Sequence, residues 1–230
     1  MRYLGGKQRL GKTFAGFIEA LAELDGLSTY CEPFAGMVGV GRRVGLPTRI
    51  IRDVNPNVVA LLRAVRDGWD PPRSLTEDEY RALRDAPVSA ARGFAGFACS
   101  FGGKWFGGYA RDAKGKNFAA AQRRVGLKLG ADLKGADIDC GPYWEAPPAG
   151  ITYCDPPYAS ATAYGGTGKF DHDRFWDWVR SREGIVLVSE YSAPDWARAV
   201  WAKPVKSTIK RDAAAGCESN ARVERLFIIS

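Results

Sequence analysis

The chain has 230 residues, 46% of them hydrophobic, and a net charge of +7 from 33 basic and 26 acidic side chains. That length suits one sizeable domain with a full core, whereas the longest apolar runs, such as residues 184–188, are far too short to span a bilayer. A single histidine, His172, excludes histidine-based catalysis and multi-histidine metal sites, and no apolar leader opens the chain. The five cysteines form no C-x-x-C pair and are odd in number. Together these features point to a reduced, cytoplasmic protein without membrane or metal.

Residues 1–6 are a short lead into Lys7. From residue 8 to 24, Leu10, Phe14, Phe17, Ile18, Leu21 and Leu24 follow helical spacing, and Asp25-Gly26 stops the helix. Gly5-Gly6-Lys7 places backbone donors and an ammonium before that helix, which suits an anionic group. Residues 28–34 read as a strand ending in Glu32-Pro33-Phe34. Ala35-Gly36 and the glycines at 39 and 41 then form a tight turn opening into a helix. The turn is neither the G-x-G-x-x-G fingerprint nor a P-loop.

A second strand over 48–52 ends at Asp53, 17 residues after Gly36. An acid at that place commonly holds ribose hydroxyls. A helix over 56–67 follows, with Val58, Val59, Leu61, Leu62 and Val65 inward. Thr76 and Glu79 form a capping box for a short helix to Arg84. Residues 88–103 are Ala-, Gly- and Phe-rich and read as helical. Residues 104–116 form a basic, aromatic loop, and Asn117 caps a helix through Leu129. Between Arg92 and Lys128 there are eight basic residues and one acid, Asp112, interleaved with Phe101, Trp105, Phe106 and Tyr109. That pattern resembles a nucleic-acid face.

Short strands are expected over 136–140, 151–154 and 185–189, with a helix over 171–181. Residues 159–169 form a small-residue loop over a site. Pro194 starts a helix to Val200, and 205–209 pairs with 223–229 in a final antiparallel pair. The polar stretch 210–221 between them orders on a partner. The strand over 151–154 runs straight into Asp155-Pro156-Pro157-Tyr158. Two prolines cannot extend a sheet, so the chain leaves it there with a carboxylate, a rigid backbone and a ring. Ligands of open α/β sheets bind at that end of the strands. Asp155 and the Pro156 carbonyl can accept N–H bonds from an amino-bearing ring stacked on Tyr158.

These pieces together resemble the Dam-like DNA N6-adenine methyltransferases. The motifs that carry the resemblance are Gly5-Gly6-Lys7, Glu32 to Gly36, Asp53 with Asn55, Tyr153 to Tyr158, Val186 to Tyr191 and Arg222 to Ile228. The resemblance implies an α/β fold: a Rossmann-like methyltransferase sheet, mostly parallel with a C-terminal antiparallel strand pair, plus a small helical target-recognition insert. Residues 1–69 and 131–230 would form the catalytic domain and 70–130 the insert. S-adenosylmethionine is the implied methyl donor, held by Lys7, Glu32, Pro33, Phe34, Gly36, Asp53 and Asp155.

Asp155, Pro156 and Tyr158 would grip the target adenine, flipped from double-stranded DNA. Lys104, Arg111, Lys114, Lys116, Asn117, Arg123 and Arg124 are the candidate DNA contacts. The enzyme would act in a prokaryotic or phage-infected cell as a monomer or weak dimer. The aspartate heading the motif favours adenine over N4-cytosine. The alternatives are the same chemistry on N4-cytosine, RNA adenine or a protein amide nitrogen, or a DNA-binding protein that has lost its activity. The chain departs from the family at Pro142, where an acid often stands, and in its rather short insert.

Overall fold

The computed structural model describes residues 1–111, 115, 117–158, 170–205 and 222–230. Seven strands form one sheet: β1 (Thr29–Glu32), β2 (Thr48–Asp53), β3 (Asp137–Cys140), β4 (Ile151–Cys154), β5 (Ile185–Glu190), β6 (Arg198–Val205) and β7 (Arg222–Ile229). Their spatial order is β3-β2-β1-β4-β5-β7-β6. The first five in that order pair parallel, while β7 runs antiparallel to both β5 and β6. This is the Rossmann-like α/β sheet expected from the sequence, mostly parallel with a C-terminal antiparallel strand pair.

The central strands are apolar on both faces, as a covered sheet requires. Tyr30, Tyr153 and Leu187 alternate with Cys31, Cys154, Val186 and Val188, and all are essentially inaccessible to solvent. The first set belongs to the main core with α1 (Gly11–Asp25), α2 (Pro56–Arg66) and α5 (Phe118–Asp132). Of the second set, Cys154, Val186 and Val188 pack under α6 (His172–Arg180), through Phe175 and Val179, while Cys31 packs with Ala146 and Ala149. Fully burying each such side chain contributes about 1.5–3 kcal/mol.

Local signals set most boundaries. Gly26, at φ 64°, ends α1 in the left-handed conformation. Asn55 caps α2 by accepting the Asn57 N–H, with Pro56 at the first helical position. Thr76 and Glu79 form the reciprocal capping box of α3 (Glu77–Arg84). The exposed edge at β3 is covered by arginines from α2. Arg63 Nε donates to the Ile138 carbonyl at 2.7 Å and Arg66 Nη1 to the Ala136 carbonyl at 3.0 Å.

The segment between α2 and β3 is helical and rests on α2. It contains α3, the short α4 (Ala90–Gly93) continuing as a π-helical turn over Phe94–Ala98, and α5. A Cβ at Gly93 would lie 2.4 Å from the Asn57 carbonyl, and one at Gly130 only 2.1 Å from that of Val65. Both glycines therefore let this segment approach the backbone of α2 and share its core.

Two expectations are corrected. No α-helix follows the Gly-rich turn; a single 3₁₀ turn, Gly41–Arg43, leads towards β2. The start of α1 packs on that turn instead, so closely that a Cβ on Gly11 would meet the Gly39 carbonyl at 1.9 Å. The helix expected over 194–200 is one turn, closed by Ala197 N–H to the Pro194 carbonyl. From Arg198 the chain is strand β6, because β7 offers it a full ladder that overrides the local helix signal. The antiparallel pairing thus starts at 198 rather than 205, with an irregularity between Ala199 and Trp201.

Candidate active site

The parallel strands place Glu32, Asp53, Cys154 and Glu190 at one edge of the sheet, where β1, β2, β4 and β5 end. Strand β7, running the other way, begins at this edge; Arg225 pairs with Glu190. Six residues from four parts of the chain meet there: Lys7, Asp155, Tyr158, Ser189, Tyr191 and Glu224.

Asp155 leaves β4 with its carboxylate held from two sides. Ser189 Oγ donates to Asp155 Oδ1 at 3.0 Å, and Lys7 Nζ lies 2.7 Å from the same oxygen. Ser189 has one hydroxyl proton, so when it is given to Asp155 the Tyr153 hydroxyl, 3.0 Å away, donates to Ser189. Tyr153 and Ser189 are both inaccessible to solvent, which fixes this chain. Among the described residues, no donor reaches Asp155 Oδ2 or the Pro156 carbonyl.

The same lysine crosses the face of Tyr158, with Nζ 4.4 Å from the ring centroid. It also lies 3.5 Å from Glu224 Oε1 on β7. The Tyr158 hydroxyl donates to that Glu224 oxygen. Tyr191 meets Tyr158 edge to face, with centroids 4.7 Å apart. The Tyr191 carbonyl in turn accepts from Arg225 Nη1. Burial raises the Tyr158 phenol far above its ordinary pKa, with the charges of Asp155 and Glu224 adding to the effect. Tyr158 is therefore a neutral hydrogen-bond donor.

Sequence reasoning gave no role to Ser189, Tyr191 or Glu224. The first two stand at the end of a buried strand, a position that signals a site. Glu224 lies within the terminal motif 222–228, but its place beside Tyr158 follows only from the antiparallel course of β7.

The acids on the other half of the edge are used differently. Glu32 is 2% exposed; its Oε2 accepts the Gly41 N–H at 2.9 Å and the Tyr30 hydroxyl at 3.1 Å. Burial pushes its carboxyl up to about 8. Asp53 accepts the Gly36 N–H at 2.8 Å on one oxygen and the Asn55 N–H at 2.8 Å on the other. Burial pushes it up to about 6. Glu32 is thus a strut inside the turn, while Asp53 keeps one lone pair per oxygen for a further donor. Gly36 has φ 47°, and a Cβ there would run into the Tyr3 ring at 2.8 Å. A Cβ on Gly39 would meet the Lys7 backbone at 2.9 Å. The N-terminal segment therefore lies on the turn, and from there Lys7 reaches Asp155.

Pro33 is buried, and Phe34 stacks on Tyr143 with centroids 5.2 Å apart. Tyr143 follows Pro142, so this turn presents an aromatic ring where an acid was looked for. Val54, beside Asp53, is 58% exposed.

The basic segment is less free than its composition implied. Arg111 pairs with Glu77, and Arg123 with Asp70. Asn117 is spent on structure: Oδ1 caps α5 and Nδ2 donates to the Arg73 carbonyl at 3.1 Å. Lys104 and Arg124 are exposed. Lys114, Lys116 and the loops expected over 159–169 and 207–221 lie outside the described residues. The N-terminal segment joins this region to the site. Arg2 sits 4.3 Å over the Phe118 ring, Tyr3 packs on Phe97, and Leu4 N–H donates to the Gly103 carbonyl.

No family profile matches the chain, and no curated protein does. Among solved structures it is similar to a hypothetical protein of Thermus thermophilus, at 12% identity over 100% of this chain and 98% of that one, with a TM-score of 0.46. It is similar to a Thermoplasma acidophilum protein at 10% identity, over 97% and 96% of the two chains, with a TM-score of 0.42. A candidate methylase of Haemophilus influenzae aligns at 10% identity over 93% and 98%, with a TM-score of 0.37. The fold description therefore rests on the sheet itself, five parallel strands extended by the antiparallel strand β7 and by β6.

Proposed function

We propose that the protein transfers a methyl group from S-adenosylmethionine to the N6 amine of an adenine in DNA. The observation that carries this reading is the seat of the Lys7 ammonium. A nitrogen donor is held 2.7 Å from Asp155 while lying over the Tyr158 ring. An adenine needs the same two contacts, a carboxylate for its amine and an aromatic face for its ring.

The residues of the other half fit the cofactor. Asp53 can accept a ribose hydroxyl with its remaining lone pairs, and exposed Val54 with half-buried Phe34 offers apolar surface to a purine. Lys7 is the cation nearest both halves and can pair with a carboxylate once it leaves Asp155. When bound, S-adenosylmethionine supplies an electrophilic methyl group on a sulfonium.

The amine of adenine is a poor nucleophile because its lone pair is delocalised into the ring. Asp155 Oδ2 and the Pro156 carbonyl accept its two hydrogens and favour a pyramidal nitrogen with a directed lone pair. Ser189 keeps the Asp155 carboxylate in place for this. Positioning is the main lever, aided by a fixed negative group beside the nitrogen as it gains positive charge. A base inside a duplex cannot reach these groups, so it is flipped out, and Tyr158 replaces part of the lost stacking. The exposed Lys104 and Arg124 can take phosphates. Arg111 and Arg123 can exchange their surface ion pairs for phosphates at small cost.

The test is transfer of labelled methyl groups to genomic DNA that lacks adenine methylation, followed by sequencing of the modified sites. N6-methyladenine in a short consensus is the expected product. Methylation of RNA or of cytosine instead would replace the substrate, and no transfer despite cofactor binding would overturn the enzyme.

A further inference from the structure

We propose that Glu224 is a positioning residue, setting the orientation of Tyr158 beside Asp155; this rests on the reading of the site given above. Tyr158 is joined to β4 only through a Pro-Pro turn, and its ring could turn about two side-chain torsions. Its hydroxyl is fixed by donating to Glu224 Oε1, which comes from a different strand. Glu224 is 6% exposed and pairs across the ladder with Lys203, so its backbone is held by the sheet. The adjacent Arg225 donates to the Tyr191 carbonyl, and Tyr191 closes one side of the Tyr158 ring. Two consecutive residues of β7 thus brace the two rings of the site. Lys7, 3.5 Å from the same Glu224 oxygen, covers the ring where a base would stack.

This gives β7 a function besides completing the sheet. A parallel strand between β5 and β6 would enter at the opposite edge and could not bring its first residues to Tyr158. The antiparallel course carries Glu224 to the carboxyl edge, with Arg225 opposite Glu190.

The experiment compares Glu224→Gln, Glu224→Ala, Tyr158→Phe and the Glu224→Ala/Tyr158→Phe double variant. Gln keeps an acceptor for the phenol and Ala does not. Loss of this hydrogen bond should raise KM for DNA about tenfold, while the dissociation constant for S-adenosylhomocysteine stays within about twofold. Glu224→Gln should restore most of the KM, and Tyr158→Phe should add little to Glu224→Ala because both remove the same hydrogen bond. Equal defects in the Gln and Ala variants, or additive losses in the double variant, would overturn the proposal.

A second readout needs no substrate. With 3-fluorotyrosine incorporated, the ¹⁹F signal lost in Tyr158→Phe identifies residue 158. It should move in Glu224→Ala and stay near the wild-type position in Glu224→Gln. An unmoved signal in Glu224→Ala refutes the positioning role even if the protein methylates no DNA. A moved signal in a protein that transfers nothing to DNA would instead place the error in the substrate.

Discussion

The two halves of the carboxyl edge carry the same kind of side chain and use it in opposite ways. At the ends of β1 and β2, Glu32 and Asp53 take backbone N–H groups of the Gly-rich turn, with Glu32 also taking the Tyr30 hydroxyl. At β4 and β7, the donors to Asp155 and Glu224 among the described residues are side chains: Lys7, Ser189 and Tyr158. A backbone donor in a tight turn cannot leave without unfolding the turn. A lysine ammonium at the end of four flexible bonds can. The first pair therefore holds the turn in shape, with Asp53 keeping lone pairs for a further donor, and the second holds partners that substrates can replace. Burial raises the carboxyls of Glu32 and Asp53.

Substitutions that confuse the two halves would break this comparison. The largest effect is expected at Asp155→Ala, which should cost on the order of 10³-fold in kcat while leaving the melting temperature nearly unchanged. Retained turnover in a methyl-transfer assay would remove Asp155 from its role. Glu32→Ala should do the reverse and act on stability, leaving the Gly41 N–H and the Tyr30 hydroxyl without an acceptor at a cost of about 1–3 kcal/mol each. Denaturant unfolding measures it; a stable variant with lost activity would show that Glu32 belongs to the site instead.

A smaller effect concerns pH. A solvated glutamate ionises near 4.5, whereas Glu32 holds its proton up to about 8. Its contribution to stability is therefore full below pH 4.5 and is lost as pH rises through about 8. Asp53 behaves likewise between 3.8 and about 6. Glu32→Gln should flatten the fall of the melting temperature between about pH 5 and 8, and an unaltered slope would assign the titration elsewhere. The smallest effect is at the exposed cations. Lys104→Ala and Arg124→Ala should each reduce the salt slope of DNA binding by about 0.9 for every phosphate left without its cation. Equal slopes in variant and wild type would move the DNA face to other residues.

Much of this contrast could be read along the chain, and its limits are instructive. Asp155-Pro156-Pro157-Tyr158 was legible because two prolines force the chain out of the sheet whatever surrounds it. The caps at Thr76 and Asn117 were legible because they act within one turn. Asn117 also carries a contact that local reading does not show, from its Nδ2 to the Arg73 carbonyl. Residues 194–200 failed for a related reason, since a helix-start signal at Pro194 lost to a strand partner far away in sequence, β7.

The sequence by itself determined the alternation of buried strands, the rigid acidic turn after β4 and the Gly-rich turn after β1, because each depends on the steric and hydrogen-bonding properties of neighbouring residues. Tertiary structure alone decided that Glu32 faces inward, that Lys7 bridges the two halves, and that Glu224 from the last strand holds Tyr158. Those contacts join residues up to 217 positions apart. No local propensity encodes them; they follow from strand order, from the direction of β7, and from the few places where glycine lets two backbones touch.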